Sequence, residues 1–194
     1  QSASGTTIMT TEPKFIPKEA AGVRLSEDVE VKIRMIDCVG YMVNGAQGHM
    51  EGEEERMVKT PWFDQEIPFT QAATIGTQKV IREHSTLGVV VTTDGTIGEL
   101  DRTAYVDAEA RAIRELKEIG KPFVVLLNSM RPLSKETKEL GKKLEEKYKV
   151  PVIPVNCEQI KEEEIHEIMR QILFEFPVSE VEFYLPKWVE MLPE

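Results

Sequence analysis

Three apolar runs constrain the fold most: Leu87-Gly88-Val89-Val90-Val91-Thr92-Thr93, Phe123-Val124-Val125-Leu126-Leu127 and Val150-Pro151-Val152-Ile153-Pro154-Val155. None of them alternates apolar with polar residues, so each predicts a strand buried on both faces, as in a parallel sheet. The segments between them read as helices. Ile113, Leu116 and Ile119 recur at helical spacing before the stop Gly120-Lys121-Pro122. Leu140, Leu144 and Tyr148 share one face of the next helix, and Ile165, Ile168, Met169, Ile172, Leu173 and Phe176 form an apolar stripe on the last. Strands alternating with amphipathic helices predict βαβ units and a doubly wound, mostly parallel α/β sheet, whose ligands bind at the carboxyl ends of the strands.

Upstream, residues 13–24 and 29–36 read as extended segments joined by the polar turn Ser26-Glu27-Asp28, which predicts an antiparallel hairpin. Residues 40–68, rich in Gly, Pro and charge, predict a long functional or mobile loop. Residues 69–84 predict a helix. The second extended segment runs straight into Met35-Ile36-Asp37-Cys38-Val39-Gly40. A strand delivering Asp-x-x-Gly suits phosphate chemistry: the carboxylate holds or orients Mg²⁺, and the glycine amide meets a terminal phosphate and swings away after hydrolysis. Spacing alone also permits plainer roles. Asp37 can cap a turn, Asn128 can satisfy backbone groups after its strand, and Asp94-Gly95 reads as a turn. Asp37, Asp94, Asn128 and Asn156 all stand at or just past predicted strand ends.

Composition narrows the function classes. The 194 residues carry a net charge of −10, which counts against nucleic acid and anionic lipid as direct partners. No apolar run reaches bilayer-spanning length, so direct membrane insertion is not expected, and no signal peptide is read at the start. Cys38 and Cys157 lie far apart without metal-ligand spacing, which fits a reduced cytosolic setting, and His49, His84 and His166 show no ligand spacing. Cys38 is expected to be a small core residue rather than a nucleophile. Glu53-Glu54-Glu55 and Glu162-Glu163-Glu164 read as solvated faces, the second opening a helix where negative charge is favourable. The chain opens on Gln1-Ser2-Ala3-Ser4-Gly5 and reads as a fragment of something longer. Residues 1–177 are expected to form one domain, and residues 178–194 to begin the connection to another.

A switch-type NTPase of the GTPase superclass shows a P-loop, a switch threonine, Asp-x-x-Gly, Asn-Lys-x-Asp for the guanine base, and a short loop after the last strand. No G-x-x-x-x-G-K-[ST] occurs in these residues, and Asn128-Ser129-Met130-Arg131 keeps only the Asn of the base-reading motif. The stretches Thr7-Ile8-Met9-Thr10-Thr11-Glu12-Pro13-Lys14-Phe15, Asp37-Cys38-Val39-Gly40-Tyr41, Glu83-His84-Ser85-Thr86, Thr92-Thr93-Asp94-Gly95-Thr96-Ile97-Gly98 and Gly120-Lys121-Pro122-Phe123 are more specific. In that combination, over essentially the whole chain, the sequence resembles the spore-coat morphogenetic ATPases of the stage IV sporulation protein A family.

The resemblance implies a GTPase-like P-loop NTPase fold that has switched to ATP, here expected without its first strand and P-loop. It implies ATP hydrolysis with Mg²⁺, with Thr10 and Thr11 matching sensor threonines and Asp37 the Walker B aspartate. Thr10 and Asp37 would serve the metal, and Gly40 and Asn128 the nucleotide. It further implies self-assembly into the basement layer of the spore coat on the mother-cell side of the forespore, other coat proteins as partners, and recruitment by a small amphipathic membrane-bound partner. Two alternatives stand beside this. One is an interaction module that does not bind nucleotide productively, favoured by the missing P-loop motif. The other is a GTPase, which Arg131 in place of the guanine-reading Asp counts against.

Overall fold

The computed structural model describes residues 15–175 apart from 25, 26, 28 and 47. Thr10, Thr11, Phe176 and the whole of 178–194 therefore lie outside the described residues. Strands β1 (Phe15–Arg24) and β2 (Glu30–Ile36) pair antiparallel, with Phe15 opposite Ile36 and Arg24 opposite Glu30, as the two extended segments predicted.

The stretch predicted as one long loop holds two further hairpins. Strands β3 (Met50–Glu51) and β4 (Glu54–Glu55) make a short one, and β5 (Met57–Thr60) and β6 (Phe63–Pro68) a longer one. Only β5 carries a clear two-residue period, with Val58 and Thr60 buried and Met57 and Lys59 exposed. That period is too short to outweigh the turn-rich composition around it. Helix α1 (Phe69–Lys79) follows at once and packs Phe69, Ala72 and Ala73 on Val58 and Ile67. Its amino end is capped from β4: the Glu55 carboxylate accepts from the Thr70 backbone N–H at 2.9 Å, so a negative group meets free amides.

The predicted helix to residue 84 is present, but Val80–His84 widens into a π-helical turn. The Lys121 ammonium closes that end, donating to the carbonyls of Ile81, Arg82 and Ser85. Burial lowers the Lys121 pKa.

The three apolar runs become β7 (Gly88–Thr93), β8 (Phe123–Asn128) and β9 (Val152–Val155), a parallel sheet in the order β7-β8-β9. Helices α2 (Arg102–Glu118), α3 (Lys135–Tyr148) and α4 (Glu162–Phe174) alternate with them. One face of the sheet packs Val90, Val125, Leu127 and Val152 against Ile113, Leu116, Leu144 and Tyr148 of α2 and α3. The other packs Val124, Leu126 and Val155 against Ile168 and Ile172 of α4. The chain is thus a mixed α/β protein with helices on both faces of a parallel sheet, together with antiparallel hairpins that share no ladder with it.

β7 departs from the expectation. Val89 and Val91 are exposed, Val91 by 59%, because β7 is an outer strand of the described sheet and the helix on that face covers β8 and β9. Polar groups fix α2 over the opposite face. Glu109 is almost fully buried, accepts from Arg102 Nη2 at 2.6 Å and from the Tyr148 hydroxyl at 2.9 Å, and Arg102 also donates to Thr92 Oγ1 at 3.2 Å. The same packing predicts an uneven response to truncation. Leu127→Ala, at a side chain with no exposure, should cost about 2–5 kcal/mol in urea unfolding. Val91→Ala should stay within about 0.5 kcal/mol, and equal losses at the two sites would contradict this core.

Candidate functional site

β2 hands the chain to a loop whose contacts define the first candidate group. Asp37 is exposed and makes no hydrogen bond or ion pair among the described residues. Gly40 has φ +80°, a left-handed conformation that L side chains rarely adopt, and the side where a Cβ would stand is open space. Its backbone N–H donates to Thr77 Oγ1 on α1 at 3.0 Å. The Cys38 sulfur is within hydrogen-bonding reach of the same amide and the same hydroxyl; burial outweighs these bonds and raises the thiol pKa, which suits an unreactive thiol, although Cys38 is half-buried and packs in no core cluster rather than being the core residue expected.

Tyr41 fastens the next residue to α2. Its hydroxyl donates to the Glu115 carboxylate, and the Arg111 guanidinium lies over its ring at 4.3 Å. Glu115 Oε1 also accepts from Gln78 Nε2 and Arg111 Nε, both at 3.2 Å. Burial raises the Tyr41 pKa, and the Glu115 bond adds to the effect. Burial would also raise Glu115, but the bonds from Tyr41, Gln78 and Arg111 prevail and hold its carboxyl below the ordinary glutamate value. Further on, the Asn44 N–H donates to the Ala104 carbonyl at 3.2 Å. An open groove of about 450 Å³ runs beside this loop, lined by Tyr41, Met42, Thr70, Thr74 and Arg111 among others.

The second group lies at the carboxyl edge of the parallel sheet. Asp94 leaves β7 in the turn that sequence predicted. Its Oδ1 accepts from the Thr96 N–H at 3.0 Å and hydroxyl at 2.6 Å, while Oδ2 accepts from Thr137 Oγ1 of α3 at 2.9 Å. Gly95 is needed there: φ is +87° and an added Cβ would meet the Arg102 backbone nitrogen at 2.8 Å. Thr96 Oγ1 in turn accepts from the Met130 N–H at 2.9 Å, so the loops after β7 and β8 are wired together. Asn128 Oδ1 accepts from the Cys157 N–H at 2.9 Å, the backbone role the sequence left open for it. Burial opposes the charge on Asp94, but hydrogen bonds from Ser129, Thr96 and Thr137 lower its pKa overall.

The structure brings Asp94, Asn128, Ser129 and Thr137 together, and none of them is bonded to Asp37 or Gly40 among the described residues. α2 starts at the carboxyl end of β7 and returns toward the amino end of β8. Glu115 stands in the last turn of α2, the end that leads into the amino end of β8, whereas Thr77 lies before the π-helical turn Val80–His84 through which the first helix continues toward β7. The loop after β2 runs along α2, from Tyr41 on Glu115 near its end to Asn44 on Ala104 in its first turn, and no hydrogen bond among the described residues joins Asp37 or Gly40 to the second group. No cluster of three or more His, Cys, Asp or Glu suits a metal among the described residues. The exposed Asp37 carboxylate is nonetheless a hard oxygen donor with room for waters, which fits Mg²⁺.

Sequence reading missed Thr77, Gln78, Arg111 and Glu115. The only signal was the spacing of Arg111 and Glu115, which any solvated helix pair shares.

The depressed carboxyls of Glu115 and Asp94 give a pH dependence. Their contribution to stability is complete above the unfolded range near pH 4 and fades as pH falls through the lower folded values. Glu115→Gln should flatten that acid slope when urea midpoints are followed from pH 7 to 3, and an unchanged slope would count against the Tyr41 clamp.

Comparison with known proteins gives the lineage. The family described as Stage IV sporulation protein A, ATPase domain, matches residues 1–177. The chain is 52% identical over 194 residues, all of its length, to stage IV sporulation protein A of Bacillus anthracis and of Bacillus subtilis (strain 168). It is 52% identical over 192 residues, 99% of its length, to the protein of that name from Clostridioides difficile (strain 630). In each case it spans 39% of the relative's length. No solved structure matches it. With a family match across residues 1–177 and relatives of this identity over its whole length, the chain belongs to the stage IV sporulation protein A family, in the region of its ATPase domain.

Proposed function

We propose that this chain is the ATP-binding and ATP-hydrolysing part of a spore-coat morphogenetic protein that polymerises around the forespore. The observation that carries the reading is the Asp37–Gly40 turn: an exposed carboxylate leaving β2, then a glycine at φ +80°, in a chain of an ATPase-domain family. The fold assigned to it is a GTPase-like P-loop NTPase, in which the parallel sheet and flanking helices are the framework.

In this reading Asp37 holds Mg²⁺, directly or through water, with Thr10 as a further oxygen donor. The ion's chemistry there is neutralisation of charge on the β- and γ-phosphates. A hydroxyl at Thr10 or Thr11 orients the attacking water, and the Gly40 N–H is the donor to the terminal phosphate. Asn128 supports the base pocket by tying the loop after β8 to Cys157. Arg131 stands where a guanine-reading Asp would stand, which favours ATP over GTP. The protein's partners are copies of itself, other spore coat proteins and a small amphipathic membrane-bound protein, on the mother-cell side of the forespore. Nucleic acid is not a partner, and no helix among the described residues is long and apolar enough to cross a membrane.

A second reading is a module that does not hydrolyse ATP but serves assembly. The observation favouring it is the absence of G-x-x-x-x-G-K-[ST] from these residues, since that loop supplies the backbone cradle and Lys for the phosphates. Exposed Val89 and Val91 on the outer strand favour association as well.

Titrating ATP and GTP into this chain and into the full-length protein separates the two. Mg²⁺-dependent binding by the full-length protein, with ATP preferred and the present chain inactive alone, supports hydrolysis. Asp37→Ala in the full-length protein should then abolish phosphate release with the melting temperature little changed. Turnover at the wild-type rate in that variant would remove Asp37 from the metal site.

A further inference from the structure

The amide assigned to the terminal phosphate is already occupied. Gly40 N–H is bonded to Thr77 Oγ1 at 3.0 Å, and Thr77 is buried at 3% exposure, so water offers that amide little competition. One residue on, Tyr41 is held by two groups, the Glu115 carboxylate and the Arg111 guanidinium at 4.3 Å from its ring centre, and Gln78 steadies the other oxygen of that carboxylate. Glu115 comes from α2 and Gln78 and Thr77 from α1, so the loop is pinned to two helices that are themselves fixed by buried side chains. Asp37, three residues before Gly40, has no such anchor among the described residues.

A backbone N–H donates fully to one acceptor at a time. Bonding to Thr77 and bonding to a phosphate oxygen are therefore alternative states of Gly40. A ligand that needs the released state binds more weakly in proportion to the fraction of molecules in the pinned state.

We propose that Thr77 and the Tyr41–Glu115 pair are positioning residues that hold the Gly40 amide in a resting state bonded to Thr77, and that the terminal phosphate of ATP must displace Thr77 to engage Gly40. This rests on the ATP reading above and adds to it the residues that set the resting position of the switch. The latch discriminates between nucleotides by its nature. A triphosphate draws the Gly40 amide away from Thr77, whereas a diphosphate leaves it there.

The test uses the full-length protein with Thr77→Val, which keeps the branched shape and removes the acceptor, and Tyr41→Phe, which keeps the ring under Arg111 and removes the hydroxyl. Affinities for Mg²⁺ with the non-hydrolysable β,γ-imido analogue of ATP, and for Mg²⁺ with ADP, are measured by calorimetry. Hydrogen exchange of the 38–44 backbone is followed without nucleotide. Each variant should tighten the triphosphate analogue by roughly two- to tenfold, the range of one net hydrogen bond, and leave ADP within about twofold. Exchange at 38–44 should quicken in both.

An unchanged or lower ratio of triphosphate to diphosphate affinity, in variants that fold and beside a wild type that binds, overturns the latch alone. A wild type that binds neither nucleotide overturns the ATP reading and the latch with it. If Thr77→Val fails to fold, Tyr41→Phe decides, because it empties no core position.

Discussion

The burial of β8 on both faces is the interaction on which the rest of this structure depends. Phe123, Val124, Val125, Leu126 and Leu127 are all buried, with alternate residues facing α2 and α3 on one side and α4 on the other. Fully burying such a side chain contributes roughly 1.5–3 kcal/mol, and these five are contiguous, so β8 is the one element whose exposure would be most costly. Its backbone groups pair in parallel with β7 and β9, which fixes both neighbours in register: Val90 beside Val125, and Leu127 beside Pro154. Parallel pairing then obliges each connection to cross the sheet, and the helices that make the crossings supply the cover the strand needs.

From that frame follow two kinds of loop. The loops after β7 and β8 are held by interlocked bonds among Asp94, Thr96, Met130 and Thr137, and α2 is anchored beneath them by the buried Glu109 with Arg102 and Tyr148. A buried carboxylate is tolerated only because both oxygens have partners, one of them a cation. The loop after β2 is different: it rests on helices from outside, its hairpin shares no ladder with the parallel sheet, and a handful of hydrogen bonds decide its position.

Much of this was legible from residue order. The three apolar runs marked β7, β8 and β9, the stripe of Ile168 and Ile172 marked the buried face of α4, and Glu162 opened that helix as its charge predicted. The first hairpin was legible from two extended segments around a polar turn. Other features were not. Val89 and Val91 read as buried on both sides, yet no described helix covers that face of β7, because apolarity records what a strand can bury and not which helix reaches it. The hairpins between residues 50 and 68 were hidden by composition, since short strands separated by tight turns leave too few residues for a period to show. Glu109 and Glu115 read as ordinary helix charges; one is a buried anchor and the other the acceptor for Tyr41.

The sequence by itself determined the class of the protein: a parallel sheet with helices on both faces, an Asp-x-x-Gly after the first hairpin, and the absence of a guanine-reading Asp at Arg131. These are local properties, carried by period, run length and spacing. Only the tertiary structure decided where the loop after β2 rests, because the partners that hold it are remote in the chain, with Gly40 on Thr77 at a separation of 37 residues and Tyr41 on Glu115 at 74. A hydrogen bond across such a distance exists only after the core has set α1 and α2 side by side. No pattern within the loop itself specifies it.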